Sequence, residues 1–472
     1  MQLTLADIRD ALAVHCDLGS AAGTVVHGVR TDSRAVGPGD VFVCIAGERF
    51  DGHDFATQVV AQGAVALIAE RDPFAANPAA RGDAVVFIVA KAVAALGRLA
   101  RFHRDRCSAR VVGVTGTAGK TTVKELLAQV LAVRGPTARN HMNLNNQIGL
   151  PVSMLAATGD EAFWVMEAGI SEPHDMDELG AILKPDVALV VNVGAGHTAG
   201  LGDRGVAHYK ARLLAHLAPG GCALVSADYD DLVREARSVG VASLLFFSAK
   251  GRQVSYRAAY VGPVDMGRGN YRLWLDGATV DVTAPFRGEF GAENIIAVAA
   301  VAHQLGLTGE EIARGMAQAE LPRQRFACTR IGKWTVIDDT YNANPLSAAR
   351  MVDAAAEMAD GGSLVYVLGE MLELGTVAEA EHEKLGRHVA ATGAAAVLWK
   401  GGCGDAVAAG LAAGKYNGTF ATVTDAGAFL DRFGALGLDG GVVLFKGSRG
   451  NRLEQLVAAL TASLAPEETH AL

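Results

Sequence analysis

Gly116, Gly119, Lys120, Thr121 and Thr122 stand together in VVGVTGTAGKTTVK (Val111–Lys124). Residues of these types at this spacing can bind a polyphosphate. Glycines let backbone N–H groups curl around phosphate oxygens, and a helix start adds partial positive charge. In such a loop Lys120 reaches the β- and γ-phosphates and the Thr121 hydroxyl meets Mg²⁺, while Thr117, Ala118 and Thr122 complete the cradle. The strict pattern wants glycine at position 114, where this chain has Val114, so the loop is a relaxed version. An ordinary strand–turn–helix is the alternative.

Other groups fit the same chemistry, each with a plainer reading beside it. Glu167 follows the apolar run FWVM at the C-terminal end of a buried strand. It can hold Mg²⁺, or it can be a strand-end acid without a ligand. Asn192 and His197 lie at and just past the end of VALVVNV, and a lone histidine is more often structural. Lys210 falls on a helix in VAHYKARLL, where a solvated surface lysine is the plain reading. Asn143, Asn145 and Asn146 crowd NLNNQIGLP more densely than capping and turns require.

In IDDTYNANPLSA, Asp338 and Asp339 end a strand, and Tyr341, Asn342 and Asn344 precede Pro345. A turn with proline at the first helical position is one account. Paired acids and amides at a strand's C-terminal end also mark a ligand edge in α/β sheets. KGSRGNRLE sets Lys446, Ser448 and Arg449 between a strand and a helix. Basic side chains oppose the dipole of a helix start, which points to a bound anion; an exposed loop is the alternative. TDSR and DGHDF place Ser33, Arg34, Asp51, Gly52 and His53 in two polar loops flanking a strand.

The elements that must position these residues alternate along most of the chain. Its 472 residues suggest about three domains, and half are apolar, which suits large cores. The first hundred residues mix short strands and helices. From residue 107 to 321 strands and helices alternate as in a doubly wound parallel sheet, with a β-rich stretch at Val254–Phe286 and a helix beginning near Glu293. ELPRQRFACTR (Glu320–Arg330) reads as a linker, and the rest forms a second, Rossmann-like α/β layer without a G-x-G-x-x-G fingerprint. The expected domains are therefore 1–106, 107–321 and 322–472. A net charge of −9 argues against nucleic-acid or anionic-membrane partners. Six scattered cysteines form no CxxC pair, no apolar run approaches a membrane span, and the start, MQLTLADIRDALAV, reads as a capped helix rather than a leader. A cytoplasmic chain is expected.

Here the motifs converge. GVTGTAGKTT, NLNNQIGLP, EAG after a strand, a histidine at a strand end followed by a helical lysine, and a final α/β domain resemble the Mur ligases of peptidoglycan synthesis. DDTYNANP, VLGEMLELG and KGSRGNRLE are similar to the branch that adds D-Ala-D-Ala to a UDP-MurNAc-tripeptide. The resemblance implies a three-domain α/β enzyme: a mixed α/β UDP-substrate domain, a central ATP-binding domain and a C-terminal domain for the incoming dipeptide. It implies ATP and two Mg²⁺ ions, the first on Thr121 and Glu167, the second on His197 and a Lys210 carbamylated by CO₂. Lys120 assists transfer of the γ-phosphate to the tripeptide carboxylate, and the dipeptide amine attacks the resulting acyl phosphate. Asn294 would meet adenine, Arg325 the phosphates, and Asp338 or Asp339 the ribose. Asn342, Asn344 and the KGSR turn would face the dipeptide, and Ser33, Arg34 and DGHDF the UDP-sugar. The family's usual state is a monomer.

Two departures stand out. Phe290 and Gly291 occupy the places of the family's usual His and Asn, and Gln324 stands where a glycine usually precedes Arg325. Altered nucleotide affinity is the expected consequence. A sibling ligase adding diaminopimelate or lysine competes, but its DNPR-type motif is lacking. A nucleotide switch or scaffold competes from another class, but no N-K-x-D guanine motif occurs.

Overall fold

The computed structural model describes residues 3–194 and 204–464. Three sheets follow one another along the chain. The first joins β1 (Gly28–Arg30), β2 (Asp40–Val43), β3 (Ala66–Ala69) and β4 (Val85–Ile88), in that order and all parallel. Apolar side chains cover both faces, Val41 and Ile68 on one and Phe42 and Leu67 on the other. Burial on both faces is what an all-parallel sheet demands. The N-terminal helix Leu5–Leu12 is capped as its sequence suggests, with Thr4 and Asp7 in a reciprocal capping box.

The second sheet contains β5 (Arg110–Thr115), β6 (Thr137–Arg139), β7 (Phe163–Glu167), β8 (Val187–Val190), β9 (Cys222–Ser226), β10 (Leu244–Ser248), β11 (Tyr256–Pro263), β12 (Gly269–Leu275) and β13 (Ala278–Ala284). Its order is β13-β12-β11-β10-β9-β8-β5-β7-β6. From β6 to β11 neighbours are parallel, but β11–β12 and β12–β13 are antiparallel. The sheet is parallel over the expected doubly wound part, and the β-rich stretch Val254–Phe286 adds an antiparallel edge to it. Asp276 and Gly277, both at positive φ, turn β12 straight back into β13, and a two-residue connection can join only antiparallel strands.

The third sheet runs β14 (Ala327–Ile331), β15 (Trp334–Asp339), β19 (Gly441–Lys446), β16 (Leu364–Gly369), β17 (Ala396–Lys400) and β18 (Thr419–Thr422). The expected linker at Glu320–Arg330 is corrected here. Its last residues form β14, an antiparallel edge on β15, and its polar outer positions hid the strand.

The chain places β6 and β7 on one side of β5 and then crosses to β8 on the other, so β5 lies at a topological switch point. Ligands in open α/β sheets gather at the carboxyl ends there. The helix Lys120–Leu131 after β5 buries Val123, Leu126, Leu127, Val130 and Leu131. It packs on helix Ala292–Gln304, whose Ile295–Ala302 are buried on every side. Each such aliphatic side chain contributes roughly 1.5–3 kcal/mol, against about 1 kcal/mol for a helix cap. Packing alone can hold this helix, which starts at Gly119 with no side-chain cap. Its N-terminal amides are left available to a ligand.

Candidate active site

Gly119 sits at φ +78°, a left-handed conformation that opens the helix after the loop. A Cβ there would lie 2.5 Å from Asn294 Oδ1, so the glycine also admits that amide. The Thr117 and Ala118 N–H groups do not face the cleft as a phosphate cradle. Both donate to Asn192 Oδ1, at 3.1 and 2.8 Å. The first intrahelical bond runs from Val123 N–H to Gly119 O, which leaves the amides of Lys120–Thr122 as the anion-facing set.

Glu167, at the end of β7, accepts from the Thr121 hydroxyl at 2.7 Å and from Asn145 Nδ2 at 2.7 Å. Asn140 clamps its backbone from both sides, and the buried Lys124 ammonium holds the segment that carries Asn140 by donating to the Asn140 and Met142 carbonyls. Lys210 is 1% exposed, which corrects the surface-lysine reading. Burial pushes its ammonium well below the ordinary range; Lys120 reinforces this and Glu167 opposes it. Burial also lowers the Lys120 ammonium, against Glu167 and with Arg325. Two lysines and one acid thus share a field at the end of β5 and β7. Among the described residues no three His, Cys, Asp or Glu side chains form a ready metal cage. Thr121 and Glu167 supply hard oxygens suited to Mg²⁺ once substrate phosphates add theirs.

The third sheet closes the other side of a cleft of about 250 Å³. Lys446 donates to Asp339 Oδ2 at 2.5 Å and to the Asn342 carbonyl at 3.0 Å. Arg325 lies 4.2 Å above the Tyr341 ring. Asn344 caps helix Pro345–Ala359 with its Oδ1 and donates from Nδ2 to Thr117 O at 3.1 Å, bridging the two sheets' loops. Phe290 meets Phe286 and Phe326 edge-on, with ring centroids 5.7 and 4.7 Å apart, and all three line the cleft with Asn294. Asn294 Oδ1 is buried without a hydrogen-bond partner. A planar heteroaromatic base bearing an amino group fits both the apolar wall and that acceptor. A second cleft adjoins the first between Met142, Asn143, Leu372, Leu374 and Arg449.

Three family models and a curated relative match this chain over nearly its full length. The Mur ligase middle domain matches residues 114–302, the Mur ligase family catalytic domain 25–104, and the Mur ligase glutamate ligase domain 324–449. The UDP-N-acetylmuramoyl-tripeptide–D-alanyl-D-alanine ligase of Escherichia coli is 33% identical over 98% of both chains. This chain belongs to the Mur ligase family. MurF from Acinetobacter baumannii superposes on this Mur ligase with a TM-score of 0.87 at 29% identity, covering 98% of this chain and 99% of that one. MurF from Thermotoga maritima in complex with ADP gives 0.80 at 28% identity, covering 93% and 97%.

The fold of this Mur ligase brings many of the anticipated residues together and leaves others apart. Thr117–Thr122, Asn143, Asn145, Glu167, Asn294, Arg325, Asp339, Tyr341, Asn342, Asn344 and Lys446 all line the main cleft. Ser448 and Arg449 line the adjoining one, with Ser448 accepting from Leu372 N–H and Arg449 donating to Gln324 Oε1. Asp338 accepts from both Thr340 groups and lies outside the cleft lining. Asn146 accepts from the Ile148 and Gly149 amides, which is turn and capping work. Ser33, Arg34, Asp51, Gly52 and His53 stay on the first sheet's surroundings, apart from both clefts. There Arg34 pairs with Asp32, and His53 bonds Asp51 and the Glu70 amide. His197 lies outside the described residues. Sequence reasoning missed Lys124, Glu293 and Arg350. Lys124 and Arg350 look like surface charges on their helices, Glu293 like an acid at a helix start, and a buried charge has no spacing signature of its own.

Proposed function

We infer that this Mur ligase is an ATP-dependent ligase that joins D-Ala-D-Ala to a UDP-MurNAc-tripeptide. The observation that carries this reading is the meeting of Lys120, Thr121 and Glu167 from the second sheet with Arg325, Asp339 and Lys446 from the third, in one cleft. Near-full-length similarity to relatives bearing that activity in their names supports the choice of substrates. In this reading Asn294 and the phenylalanine wall take the adenine, and Asp339 takes the ribose. The amides of Lys120–Thr122 and the Lys120 ammonium hold the phosphates.

The tripeptide carboxylate attacks the γ-phosphorus, the bond to ADP breaks, and an acyl phosphate forms. The dipeptide amine then attacks the acyl carbon, loses a proton, and phosphate departs with the bonding pair. Lys120 and Arg325 stabilise the charge that develops on the transferring oxygens. Magnesium held at Thr121 and Glu167 would neutralise the same charge. The neutral amine favoured for the buried Lys210 is the species that adds CO₂, giving a carbamate and a proton, and that carbamate with His197 would hold a second ion. The adjoining cleft, with Arg449 at its edge, takes the dipeptide.

The test is phosphate release from ATP with Mg²⁺, bicarbonate and UDP-MurNAc-tripeptide. Release that depends on D-Ala-D-Ala, with product heavier by the dipeptide residue, is expected. Release that ignores the dipeptide, with either common tripeptide, would move the assignment to a sibling ligase.

A further inference from the structure

Beside the nucleotide loop, four side chains from both halves of the cleft, the buried Asn192 and Glu293 and the half-buried Tyr229 and Arg350, close a network that the ligation chemistry does not use. The Thr117 and Ala118 amides point at Asn192 Oδ1, so Asn192 Nδ2 must face the other way. A flipped amide would set N–H against N–H. Nδ2 instead donates to Glu293 Oε2 at 2.7 Å. Glu293, on the buried helix Ala292–Gln304, is 4% exposed. A buried carboxylate requires a cation and full hydrogen bonding. Arg350, on helix Pro345–Ala359 of the C-terminal sheet, supplies the cation, with Nη1 2.8 Å from Glu293 Oε2. Its Nη2 donates to the Tyr229 hydroxyl at 2.8 Å, and that hydroxyl donates to Glu293 Oε1 at 2.8 Å.

We propose that Glu293 and Arg350 are positioning residues that lock the nucleotide loop to the C-terminal domain. The line of contact is continuous: loop amides, Asn192, Glu293, Arg350. Asn344, the residue that caps the Arg350 helix, grips the opposite face of the same loop through Thr117 O. One helix of the C-terminal domain therefore holds Thr117 and Ala118 from two directions. Moving that helix away strips the cation from Glu293 and releases Asn192, whose orientation sets the two amides. Loop geometry and domain position become one equilibrium, and nucleotide binding at the loop biases it.

Arg350 also borders the cleft, so a direct contact with phosphate is the rival role, and the two roles separate in a mutant cycle. The inference rests on nucleotide binding at this loop, so the probe is ADP with Mg²⁺, titrated calorimetrically into the full chain. Glu293→Gln and Arg350→Gln are each expected to weaken ADP binding roughly tenfold, within the range by which coupling residues act. The double variant, which leaves no uncompensated charge, is expected to be no weaker than the worse single one. Tyr229→Phe removes one hydroxyl outside the cleft and is expected to weaken binding in the same direction by less. Small-angle scattering of the ligand-free variants is expected to show a larger radius of gyration than wild type. If Glu293→Gln fails to fold, the double variant and Tyr229→Phe carry the comparison. Additive losses, or tighter binding in Glu293→Gln, would assign Arg350 to direct phosphate contact and overturn the lock. Variants matching wild type in affinity and scattering would also overturn it, even if their melting temperatures fell. Failure of wild type itself to bind ADP would instead refute the nucleotide site.

Discussion

The Thr121 hydroxyl and the Glu167 carboxylate meet at 2.7 Å at the carboxyl ends of the paired strands β5 and β7. One residue opens a helix and the other ends a strand, and the switch-point topology brings them together. Asn145 and Asn140 fix Glu167 from side chain and backbone, so its carboxylate is aimed before any ligand arrives. Preorganised oxygens of this kind are what a cation bound to phosphates needs.

Glu167→Gln keeps the shape and the Asn145 contact but removes the charge. Its kcat is expected to fall about 10²–10³-fold, the usual cost of losing a preorganised electrostatic group, with a raised Mg²⁺ requirement. Circular dichroism and a magnesium titration of the rate check this. An unchanged magnesium dependence would remove Glu167 from the cation site.

Gly291 explains one departure from the family pattern. A Cβ there would lie 2.5 Å from Phe286 Cβ and 2.6 Å from the Tyr271 hydroxyl oxygen. Phe286 belongs to the same aromatic wall as Phe290, so both changes lie against Phe286. Gly291→Asn alone is expected to destabilise the fold by about 1–3 kcal/mol, as overpacking does. Phe290→Ala, which opens the wall, is expected to weaken ADP binding while leaving the Asn294 contact. Urea unfolding and ADP titration separate the two effects.

The nucleotide loop and the third sheet's strand ends were legible because their chemistry is local. GKTT, DDTYNANP and KGSRG each put polar groups at the end of an apolar strand, and β5, β15 and β19 form there. The Asn344–Pro345 cap was readable from two adjacent residues. What stayed hidden depends on distant partners. Lys210 looks solvated beside its sequence neighbours, and only the packing of its helix buries it. Glu293 and Arg350 are 57 positions apart in the numbering and meet only once two domains are in place. β14 was hidden for a related reason, since an edge strand carries polar residues that read as a loop.

Gln324 is the second departure. It sits at φ +61°, the left-handed region where glycine is the usual occupant. The strain accompanies a bond from Arg449 Nη1 to Gln324 Oε1 at 3.0 Å. Gln324→Gly is expected to leave stability within about 1 kcal/mol of wild type, because backbone relief and greater unfolded-state freedom offset. Gln324→Val, with branching at Cβ, is expected to cost about 1–2 kcal/mol. Denaturant midpoints of the two variants decide; a stable Val variant would show that the turn tolerates another conformation.

His103 gives the fold an acid-sensitive point remote from the cleft. It is 1% exposed, stacks on Trp164 with ring centroids 5.4 Å apart, and its Nε2 lies 3.0 Å from Ala157 O. That carbonyl accepts, so Nε2 carries the proton, and the buried Nδ1 has no partner for a second one. Burial holds the imidazole below its ordinary 6.5, with the Ala157 bond opposing. On acidification the unfolded chain takes up this proton first, so stability falls from about pH 6.5 downward and levels off once the folded imidazole is protonated. Each unit of depression is worth about 1.4 kcal/mol. His103→Gln can still donate to Ala157 O but cannot titrate. It is expected to lower stability near neutral pH and to flatten the decline that begins below about pH 6.5. Urea unfolding of both proteins across that range measures the difference in slope. Parallel curves would mean that another group carries the acid sensitivity.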